Sequence, residues 1–510
     1  MQGYDIPQNV NVQYPWDGKE ELQPGQVPQK FNPTASYVRR FELPENFRGK
    51  RIFISFQGVE SCFRVWLNGS YIGFSSDSFT PSEFELTDFL HKGENVLAVQ
   101  VYKWYPGSWL EDQDFFRFSG IFRDVYLYAA PKYHMRDIKI TADAGKLDVT
   151  VHFLDAVAAV RAQLSDPEGK ILQEKDFQSA MISNKGGGNI RFSLKVDDPE
   201  LWSAEYPKLY TLKLTSLDEK GREMEWTVQK VGFRHFEMDG NIMKLNGRRI
   251  VFKGVNRHEF SADNARTVTD EELLKDLYTM KRSNINAIRL SHYPNSSHIY
   301  YLADVLGFYL IDECNMETHG TWDAVERGVQ DADYILPSDH TEYQEMLLDR
   351  AASMYQRDKN HPCILIWSCG NESFGGSVIH KMRGYFKKQD PARLVHYEGV
   401  VHDQRFPDTT DMESQMYPSV QSIKDFLADH RDRPFICCEY SHAMGNSCGA
   451  LYKYTDLTDE DELYQGGFIW DYVDQTIYKK DRYGKWFQAY GGDFGERPTD
   501  YNFSGNGIVY

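Results

Sequence analysis

The sequence is short of positive charge, of long apolar runs and of cysteine motifs. Its 57 lysines and arginines stand against 75 aspartates and glutamates, which gives a net charge of −18 at pH 7. Nucleic acids and anionic membranes both require a basic protein surface, so neither is expected as a partner. No run of about 18 apolar residues occurs, so no transmembrane helix is predicted. The first residues, MQGYDIPQNV, lack the basic start and apolar run of a signal peptide.

Cysteine is scarce and follows no metal-binding or disulfide pattern. The seven cysteines are odd in number, form no CxxC motif, and include the adjacent pair Cys437 and Cys438. Reduced thiols in a cytoplasmic protein are therefore predicted. We interpret the adjacent pair as small side chains packed in a strand. A glycine-rich phosphate loop followed by Lys-Ser or Lys-Thr is also missing, so nucleotide chemistry of that type has no support.

With 510 residues the chain is too long for one hydrophobic core, and its pattern divides it into three regions. Residues 1–131 and 132–236 are rich in short apolar or alternating runs, which predicts two successive β sandwiches. In the first region, Asn68 and Gly69 separate two apolar runs. This is the strongest local signal of a β hairpin, because both residue types tolerate positive φ.

Residues 237–510 change to short apolar strands that alternate with helical patterns. One helix is predicted to begin after Thr269, which forms a capping box with Glu272 three residues later. Eight strands with helices or loops between most of them predict a (β/α)8 barrel. The strand candidates are residues 250–252, 285–290, 308–312, 363–368, 394–397, 410–416, 434–438 and 467–470.

Two glutamates stand at the ends of the fourth and seventh strand candidates. Glu372 follows one buried apolar run and Glu439 ends another, and catalytic groups of such barrels lie at the C-terminal ends of strands. Either acid alone is most simply a solvated residue at a strand end. Together they match the two carboxyl groups of a retaining glycosidase, which lie about 5–5.5 Å apart. One protonates the leaving oxygen and the other attacks the anomeric carbon, so we favour a glycoside-cleaving site.

Several segments resemble glycoside hydrolase family 2, and the resemblance extends over nearly the whole chain. Residues 359–372 (KNHPCILIWSCGNE) resemble the family's acid/base motif, and residues 286–294 (NAIRLSHYP) with 307–312 (GFYLID) resemble its other signature. Residues 201–203 (LWS) resemble the end of its immunoglobulin-like domain. The resemblance implies three domains: a jelly-roll sandwich (1–131), an immunoglobulin-like sandwich (132–236) and a TIM barrel with the active site (237–510). The C-terminal end of the barrel is expected to be truncated.

Carried over position by position, the resemblance gives the two glutamates different roles. It implies that Glu372 is the general acid/base and that Glu439 is the nucleophile. Asn371 is implied to bond the sugar 2-hydroxyl, and Tyr417 to bond the nucleophile. Without the resemblance, a packed tyrosine with a satisfied hydroxyl explains Tyr417 about as well.

The resemblance also implies two cations. A Mg²⁺ site is assigned to Glu317, His319 and Glu372, and a Na⁺ site is assigned to Asp114, Phe503 and Asn506. In an extended chain the spacing of two residues places Glu317 and His319 on one side. By spacing alone, an ordinary hydrogen-bonded pair explains these two residues better than a metal site does, because Mg²⁺ prefers oxygen ligands.

Further residues are implied to contact the sugar, with Trp470 as the floor of its site. Apart from the resemblance, a lone histidine is more often structural and a buried tryptophan is usually core. The implied sugar-binding residues are Asn11, Asp114, His258, His292, Asn371, Tyr417, His442, Trp470 and Asn506.

Two segments indicate the sugar. Residues 110–114 (LEDQD) and 117–125 (RFSGIFRDV) are similar to the beta-galactosidases of the family, which implies release of terminal non-reducing β-D-galactose from β-galactosides such as lactose by double displacement. A beta-glucuronidase is the first alternative, but its Asn-x-Lys clamp for the sugar carboxylate is missing from residues 490–510. A carbohydrate-binding relative without catalysis is the second. The expected partner is a small galactoside, and a homo-oligomer is left open.

Overall fold

The first unit is a β sandwich, built within the residues that the computed structural model describes (6–10, 20–155, 157–178 and 188–509). Its strands are β1 (Gln8–Asn9), β2 (Thr34–Glu42), β3 (Arg51–Phe56), β4 (Val59–Glu60), β5 (Cys62–Leu67), β6 (Ser70–Ser76), β7 (Ser82–Glu85), β8 (Glu94–Tyr102), β9 (Glu111–Asp112), β10 (Phe116–Arg117), β11 (Gly120–Ile121) and β12 (Val125–Ala130). The antiparallel sheets β2-β8-β5-β6 and β12-β3-β7 share one core, which includes Phe56, Val65 and Val99.

The predicted hairpin of this sandwich is confirmed. Asn68 and Gly69 lie between β5 and β6, which pair in antiparallel register from Cys62↔Ser76 to Leu67↔Ser70. The φ angles of the two turn residues are 52° and 82°. Both are in the left-handed region that this two-residue turn requires, which explains why asparagine and glycine occupy it.

The second unit is also a sandwich of two antiparallel sheets. Its strands are β13 (Met135–Asp143), β14 (Lys146–Phe153), β15 (Ala159–Ser165), β16 (Ile171–Gln178), β17 (Asn189–Lys195), β18 (Tyr210–Leu217) and β19 (Glu223–Val231). The sheets β13-β14-β17 and β16-β15-β18-β19 enclose a core that includes Val149, Leu164 and Leu214. The amide of Asn360 fixes this unit to the third one, because it accepts from the backbone N of Ile140 at 2.8 Å and donates to the carbonyl of Ile138 at 2.7 Å.

The third unit is a barrel of parallel strands with helices outside. Its strands are β20 (Phe236–Asp239), β21 (Ile242–Leu245), β22 (Arg248–Arg249), β23 (Phe252–Asn256), β24 (Ala287–Arg289), β25 (Tyr309–Glu313), β26 (Glu317–Thr318), β27 (Ile364–Ser368), β28 (Leu394–His396), β29 (Glu413–Met416), β30 (Phe435–Tyr440), β31 (Tyr464–Ile469), β32 (Ile477–Lys480) and β33 (Trp486–Ala489). Its helices are α1 (Asp270–Arg282), α2 (Ser297–Leu306), α3 (His319–Glu326), α4 (Gln344–Asp358), α5 (Ser377–Gln389), α6 (Val420–Asp429) and α7 (Leu451–Glu460).

Eight of these strands form the barrel wall in the order β28-β27-β25-β24-β23-β31-β30-β29. Its two end strands are joined by hydrogen bonds. The backbone N of Asp411 donates to the carbonyl of Val395 at 2.9 Å, and His396 Nε2 lies 2.8 Å from the Ser414 hydroxyl. The sheet therefore closes on itself, and the C-terminal ends of all eight strands meet at one mouth.

Each of the eight predicted barrel strands is present, with ends that differ by a few residues. The seventh continues to Tyr440, so Glu439 lies inside the strand instead of after it. The strand continues because its neighbours still bond it there, with Tyr417 N donating to the Glu439 carbonyl at 2.8 Å. The predicted capping box of α1 is confirmed, since Thr269 N donates to Glu272 Oε2 at 2.8 Å and Glu272 N donates to the Thr269 hydroxyl.

Two expectations from composition concern membrane spans and cysteines. Among the described residues, no helix combines the length and the apolar character needed to cross a membrane. All seven cysteines are described, and all are unpaired. Cys437 and Cys438 are wholly buried within β30, as small residues in a packed strand would be.

The first sandwich is fixed to the barrel mouth by a strand pair and a buried charge. Glu111 and Asp112 of β9 pair in parallel with Glu317 and Thr318 of β26. Arg350 of α4 donates to the Glu111 carboxylate at 2.8 Å, and only 1% of its side chain is exposed. It also donates to the Leu110 and Asn315 carbonyls at 3.1 and 2.6 Å.

Two further arginines fix the same interface from the other side. Arg266 of the barrel unit forms a buried ion pair with Glu60 and donates to the Phe116 carbonyl at 2.6 Å. Arg123 of the sandwich donates to Glu259 of the barrel unit at 2.6 Å. Each guanidinium leaves water only because a carboxylate and backbone carbonyls of the opposite unit satisfy it, so the two units cannot separate without exposing buried charge.

The interface predicts that replacing a buried arginine lowers the free energy of unfolding much more than replacing an exposed one does. Arg350→Met leaves the Glu111 carboxyl buried without its cation, so we expect the free energy of unfolding to fall by about 3–5 kcal/mol. Arg40→Met is the matched control, because Arg40 pairs with Glu94 on the surface with 66% of its side chain exposed, and we expect at most about 1 kcal/mol of loss. Urea denaturation of both variants measures this. Equal losses would show that the interface does not depend on Arg350.

Candidate active site

A cavity of about 680 Å³ opens at the C-terminal ends of the barrel strands. Its walls come from six of the eight strand ends, from the first sandwich and from the loop that precedes the end of the described chain. The lining residues are Asp114, His292, Glu317, His319, Asn371, Glu372, Tyr417, Glu439, His442, Trp470, Thr499, Asp500, Tyr501 and Phe503. The two glutamates that the sequence singled out therefore face one pocket.

Arg289, at the end of β24, lies beneath this pocket and holds its acidic groups together. Its side chain is wholly buried and donates to both oxygens of Glu313, at 2.8 and 2.9 Å. The same guanidinium donates to Glu439 Oε1 at 2.8 Å and to Asn371 Oδ1 at 2.8 Å. Because a guanidinium is a rigid planar fork, these bonds fix the nucleophile candidate relative to the residue that precedes Glu372.

Glu439 is held at both of its oxygens. Oε1 accepts from Arg289, and Oε2 accepts from the Tyr417 hydroxyl at 2.5 Å. Burial raises the pKa of Glu439 to about 7, with the nearby negative charge of Glu372 adding to the rise and Arg289 opposing it. The structure thus brings Tyr417 to the group that the sequence predicted it would contact.

Glu372 has a different partner, the imidazole of His319, whose Nδ1 is hydrogen-bonded to Glu372 Oε2. Burial acts to raise the pKa of Glu372, but the charge of His319 and their hydrogen bond outweigh it and lower the pKa below its usual value. Against the effect of burial, Glu372 in turn raises the pKa of His319 to about 10. Both pKa shifts favour the ion pair of a protonated His319 and an ionised Glu372.

The extended geometry expected for Glu317 and His319 is only half right. Glu317 lies in β26, but His319 is the first residue of α3. The helix begins here because the backbone N of its second residue, Gly320, donates to the Asp112 carboxylate of the first sandwich at 2.5 Å. Both side chains nevertheless line the same pocket.

The donor set around Glu372 fits a cation. Ligand atoms of Asp114, His319 and Glu372 lie within 4.8 Å of one another. Glu317 is wholly buried beside them, and its Oε1 has no hydrogen-bond partner while Oε2 accepts from Asn371 at 2.9 Å. Burial raises the pKa of Glu317, and the charges of Glu372 and Asp114 raise it further. Hard cations such as Mg²⁺ bind oxygen ligands, and these crowded carboxylates, one with an unpartnered oxygen, supply them.

The residues predicted for Na⁺ are less closely grouped. Asp114 and Phe503 line the pocket, and burial raises the pKa of Asp114 to about 8. Asn506 lies behind the pocket wall, where its amide, in the orientation that satisfies both of its ends, accepts from Trp470 Nε1 at 3.0 Å and donates to the Ser504 carbonyl at 3.2 Å. Asn506 therefore supports the Trp470 ring directly in this structure.

The predicted sugar-contacting rings lie close together, and two of them are stacked. The rings of His292 and Trp470 are parallel within 5° at a centroid distance of 5.0 Å. His442 lines the pocket beside them, with its ring 5.8 Å from that of Tyr417. His258 lies behind, with its ring 5.6 Å from that of His292.

His292 is positioned to accept a hydrogen bond from a ligand. Burial lowers its pKa well below the usual value, so the ring is neutral. Its Nδ1 is 2.7 Å from Glu313 Oε1, and because this oxygen already accepts from Arg289, we assign Nδ1 as the donor. Nε2 is left as an acceptor, 3.8 Å from Glu439 Oε1.

Sequence reasoning missed part of this site. Arg289 carried the one available signal, a charged residue inside the apolar run of a short strand. The pairing of Glu313 with Arg289 and the pocket-facing Thr499, Asp500 and Tyr501 had no such signal. The predicted sugar contact Asn11 lies outside the described residues.

Comparison with known families then identifies the fold. Residues 236–510 match the TIM barrel domain of glycosyl hydrolases family 2, residues 1–131 match its sugar binding domain, and residues 133–234 match a third model of glycosyl hydrolases family 2. The chain belongs to glycosyl hydrolase family 2.

Curated relatives of the chain match over its full length. A beta-galactosidase of Halalkalibacterium halodurans is 53% identical, and one of Clostridium acetobutylicum is 50% identical. The chain spans 50% of the first protein and 57% of the second. A beta-galactosidase large subunit of Latilactobacillus sakei is 41% identical, and the chain covers 83% of it.

Solved structures share the fold at lower identity. A beta-glucuronidase of Bacteroides uniformis matches with a TM-score of 0.73 at 22% identity, over 87% of this chain and 59% of that one. A Bifidobacterium dentium beta-glucuronidase complexed with coumarin-3-O-glucuronide matches with a TM-score of 0.73 at 22% identity, over 93% and 86% of the two chains. These structures support the three-unit architecture.

The role of Arg289 can be tested by replacing its guanidinium. Arg289→Lys keeps the positive charge but replaces the fork by a single ammonium group, so it cannot hold Glu313, Glu439 and Asn371 together. We expect turnover of an aryl β-glycoside to fall by about 10²–10³-fold, which is the usual cost of one misplaced hydrogen-bond donor at a reacting group.

The matched control is Arg357→Lys. Arg357 is an arginine of α4 that forms an ion pair with Asp358 and keeps only 12% of its side chain exposed. Steady-state kinetics together with thermal unfolding of both variants separate the two effects. If Arg357→Lys lost as much turnover at the same loss of stability, Arg289 would have no special role.

Proposed function

We propose that the chain is the catalytic part of a retaining beta-galactosidase, which cleaves terminal β-D-galactose from β-galactosides by double displacement. The observation that carries this proposal is the pair Glu372 and Glu439. The two glutamates face one pocket, but each has its own partners, His319 for one and Arg289 with Tyr417 for the other. In such sites, different environments give the two carboxyl groups different roles, one as the acid and the other as the nucleophile.

In the first step Glu439 attacks the anomeric carbon while Glu372 gives its proton to the leaving oxygen. Arg289 and Tyr417 keep both oxygens of Glu439 in place, which limits the freedom lost on reaching the transition state. In the second step Glu372 takes a proton from water, and that water releases galactose from the ester. The carboxylate of Glu439 reforms against the same two donors.

The pocket favours a neutral sugar over a sugar acid. Among the described lining residues, five carry carboxyl groups (Asp114, Glu317, Glu372, Glu439 and Asp500), and none is a lysine or an arginine. A glucuronide would bring a further carboxylate into this group without a lysine or arginine among the described lining residues to pair with it, which is unfavourable. The beta-galactosidase relatives at 53% and 50% identity support the same sugar.

Two cations belong to the proposal. Mg²⁺ would be held by Glu317, His319 and Glu372, and Na⁺ by Asp114, Phe503 and Asn506. The unpartnered oxygen of Glu317 and the raised pKa values of Glu317 and Asp114 support such sites. When bound, such an ion offsets the repulsion among the carboxylates and holds them in one arrangement. A homo-oligomer and a cytoplasmic location stay predictions from the sequence.

Leaving-group dependence tests the two glutamates separately. Glu372→Gln cannot donate a proton, so we expect turnover of lactose to fall by about 10²–10⁴-fold. The loss should be much smaller for a p-nitrophenyl galactoside, whose leaving group departs as an anion. Glu439→Gln removes the nucleophile, and we expect turnover of both substrates to be lost. Stopped assays with each substrate measure these ratios.

Stereochemistry and substrate choice provide the controls. NMR of the first product should show β-galactose, because two inversions retain configuration. An α-anomer would exclude double displacement. Faster turnover of a β-glucuronide than of the matched β-galactoside would favour the glucuronidase alternative. Galactose binding without any turnover by the parent chain would favour a carbohydrate-binding relative that has lost catalysis.

Metal binding is predicted to depend on Glu317. We expect Mg²⁺, titrated calorimetrically into the metal-free chain, to bind the parent and to bind Glu317→Gln at least about tenfold more weakly. Mg²⁺ should also raise the unfolding temperature of the parent. Glu413→Gln is the control, since Glu413 is a half-buried acid at the first residue of β29, the end of the strand away from the mouth. Equal affinities for all three proteins would contradict the site.

A further inference from the structure

We propose that His396 is a positioning residue for the reaction, acting on the pocket through a one-way chain of hydrogen bonds. The chain starts at Ser414 and reaches Ser368 through the imidazole. It ends on Glu313, the carboxyl group that bonds Arg289 beneath the pocket. His396 is not among the described residues that line the pocket. The inference rests on the proposed function, because it gives a residue outside the pocket a part in the reaction inside it.

The members of the chain come from four neighbouring barrel strands. Glu313, Ser368 and His396 are the last residues of β25, β27 and β28, and each stands beside the next in the parallel register. Ser414 is the second residue of β29, across the seam where the sheet closes. None of the four residues is more than 3% exposed. Every donor and acceptor among them therefore has to find its partner inside the protein.

The direction of the chain is fixed at its Glu313 end. Glu313 Oε2 accepts from Arg289 Nε at 2.8 Å, and the Ser368 hydroxyl lies 2.7 Å from the same oxygen. Because Oε2 already accepts from Arg289, we assign the serine hydroxyl as the donor. Another acceptor for this hydroxyl, the Gly370 carbonyl, is farther away at 3.4 Å. A serine has one proton to donate, so its oxygen is left to accept the next bond.

The imidazole of His396 continues the chain in one orientation. Its Nδ1 lies 2.9 Å from the Ser368 hydroxyl, whose own proton is directed to Glu313, so Nδ1 is the donor. Burial lowers the pKa of His396 to about 3, with the charge of Arg289 adding to the fall and that of Glu313 opposing it. The neutral ring therefore has no proton on Nε2, which accepts from the Ser414 hydroxyl at 2.8 Å.

The chain ends on the carboxyl group that holds two side chains of the site. Glu313 Oε1 accepts from Arg289 Nη2 at 2.9 Å and from His292 Nδ1 at 2.7 Å. Together with the two bonds to Oε2, four donor bonds fix the orientation of one carboxyl group. His292 is thereby held with its acceptor Nε2 at 3.8 Å from Glu439 Oε1, and Arg289 with a donor 2.8 Å from the same oxygen. Loss of the Ser368 bond would loosen both.

The first test measures turnover. His396→Leu removes both ring nitrogens, and we expect kcat for a p-nitrophenyl galactoside to fall about 10- to 100-fold, as when a group that orients a functional side chain is lost. His396→Asn keeps an amide donor near the place of Nδ1, so we expect kcat within about threefold of the parent. Ser368→Ala breaks the same chain. The double variant Ser368→Ala/His396→Leu should therefore lose at most about threefold beyond either single one.

A second readout separates positioning from a general loss of stability. A site that binds a sugar hydroxyl rejects the analogue that lacks it. Among the four monodeoxy p-nitrophenyl galactosides, His292→Phe identifies the hydroxyl that His292 binds, because discrimination against that one substrate falls. We expect His396→Leu to reduce discrimination against the same substrate about 3- to 10-fold in kcat/KM. A merely structural role of His396 would leave this ratio unchanged.

The matched control is His134→Leu. His134 belongs to the second sandwich, keeps 20% of its side chain exposed and has its Nδ1 2.8 Å from Glu225. Its replacement also removes a hydrogen-bonded imidazole, but far from the pocket. We expect kcat and the discrimination ratio to match the parent within about twofold. Thermal unfolding of every variant shows whether a loss of turnover follows a loss of stability.

Nitrogen-15 NMR of histidine-labelled protein tests the direction of the chain without substrate. The signals missing from His396→Asn belong to His396, and we expect a proton on Nδ1 and none on Nε2. A proton on Nε2 would reverse the chain and overturn the inference. So would a His396→Leu variant that keeps the kcat and discrimination of His134→Leu. No turnover of any galactoside by the parent would overturn the proposed function itself, whatever the NMR spectrum shows.

Discussion

A single buried positive charge determines the arrangement of the pocket. Arg289 is wholly enclosed, and a guanidinium out of water is tolerated only when carboxylates and other acceptors satisfy it. It therefore collects Glu313, Glu439 and Asn371 around itself at 2.8–2.9 Å. The positions of Glu439 and of the residue before Glu372 are thus set by the need to neutralise one charge in the barrel interior. The geometry of the two candidate catalytic glutamates follows from the electrostatics of the core.

The same principle extends to the first sandwich, which is part of the site. Asp114 reaches the pocket because β9 pairs with β26 and because Arg350 draws Glu111 into the interface. Asp112, next to Glu111, accepts from the first turn of α3 and so determines where His319 begins the helix. Sequence positions some 200 residues apart are joined through buried acids and their donors. The pocket consequently depends on the docking of two units as much as on the barrel.

Local patterns explain what could be predicted from the sequence. The eight strands, the Asn68-Gly69 turn and the Thr269 capping box each depend on a few adjacent residues, and all are present. The pair Glu372 and Glu439 was found because each follows an apolar run. The bond between Arg289 and Glu313 could not be found in this way, since it depends on which strands become neighbours. Tyr501 was missed because its loop has no periodic pattern, and its exposure at the mouth is a property of the folded chain.

The two carboxyl groups have pKa shifts opposite to those that the proposed first step requires. Glu372 is held ionised by His319, and the pKa of Glu439 is raised to about 7. Exclusion of water from the pocket penalises both charges of the Glu372–His319 pair, which favours the neutral forms of the two groups. The negative charge of Glu372 then no longer raises the pKa of Glu439, while Arg289 still stabilises that carboxylate. Exclusion of water therefore favours a proton on Glu372, while Arg289 favours the ionised form of Glu439.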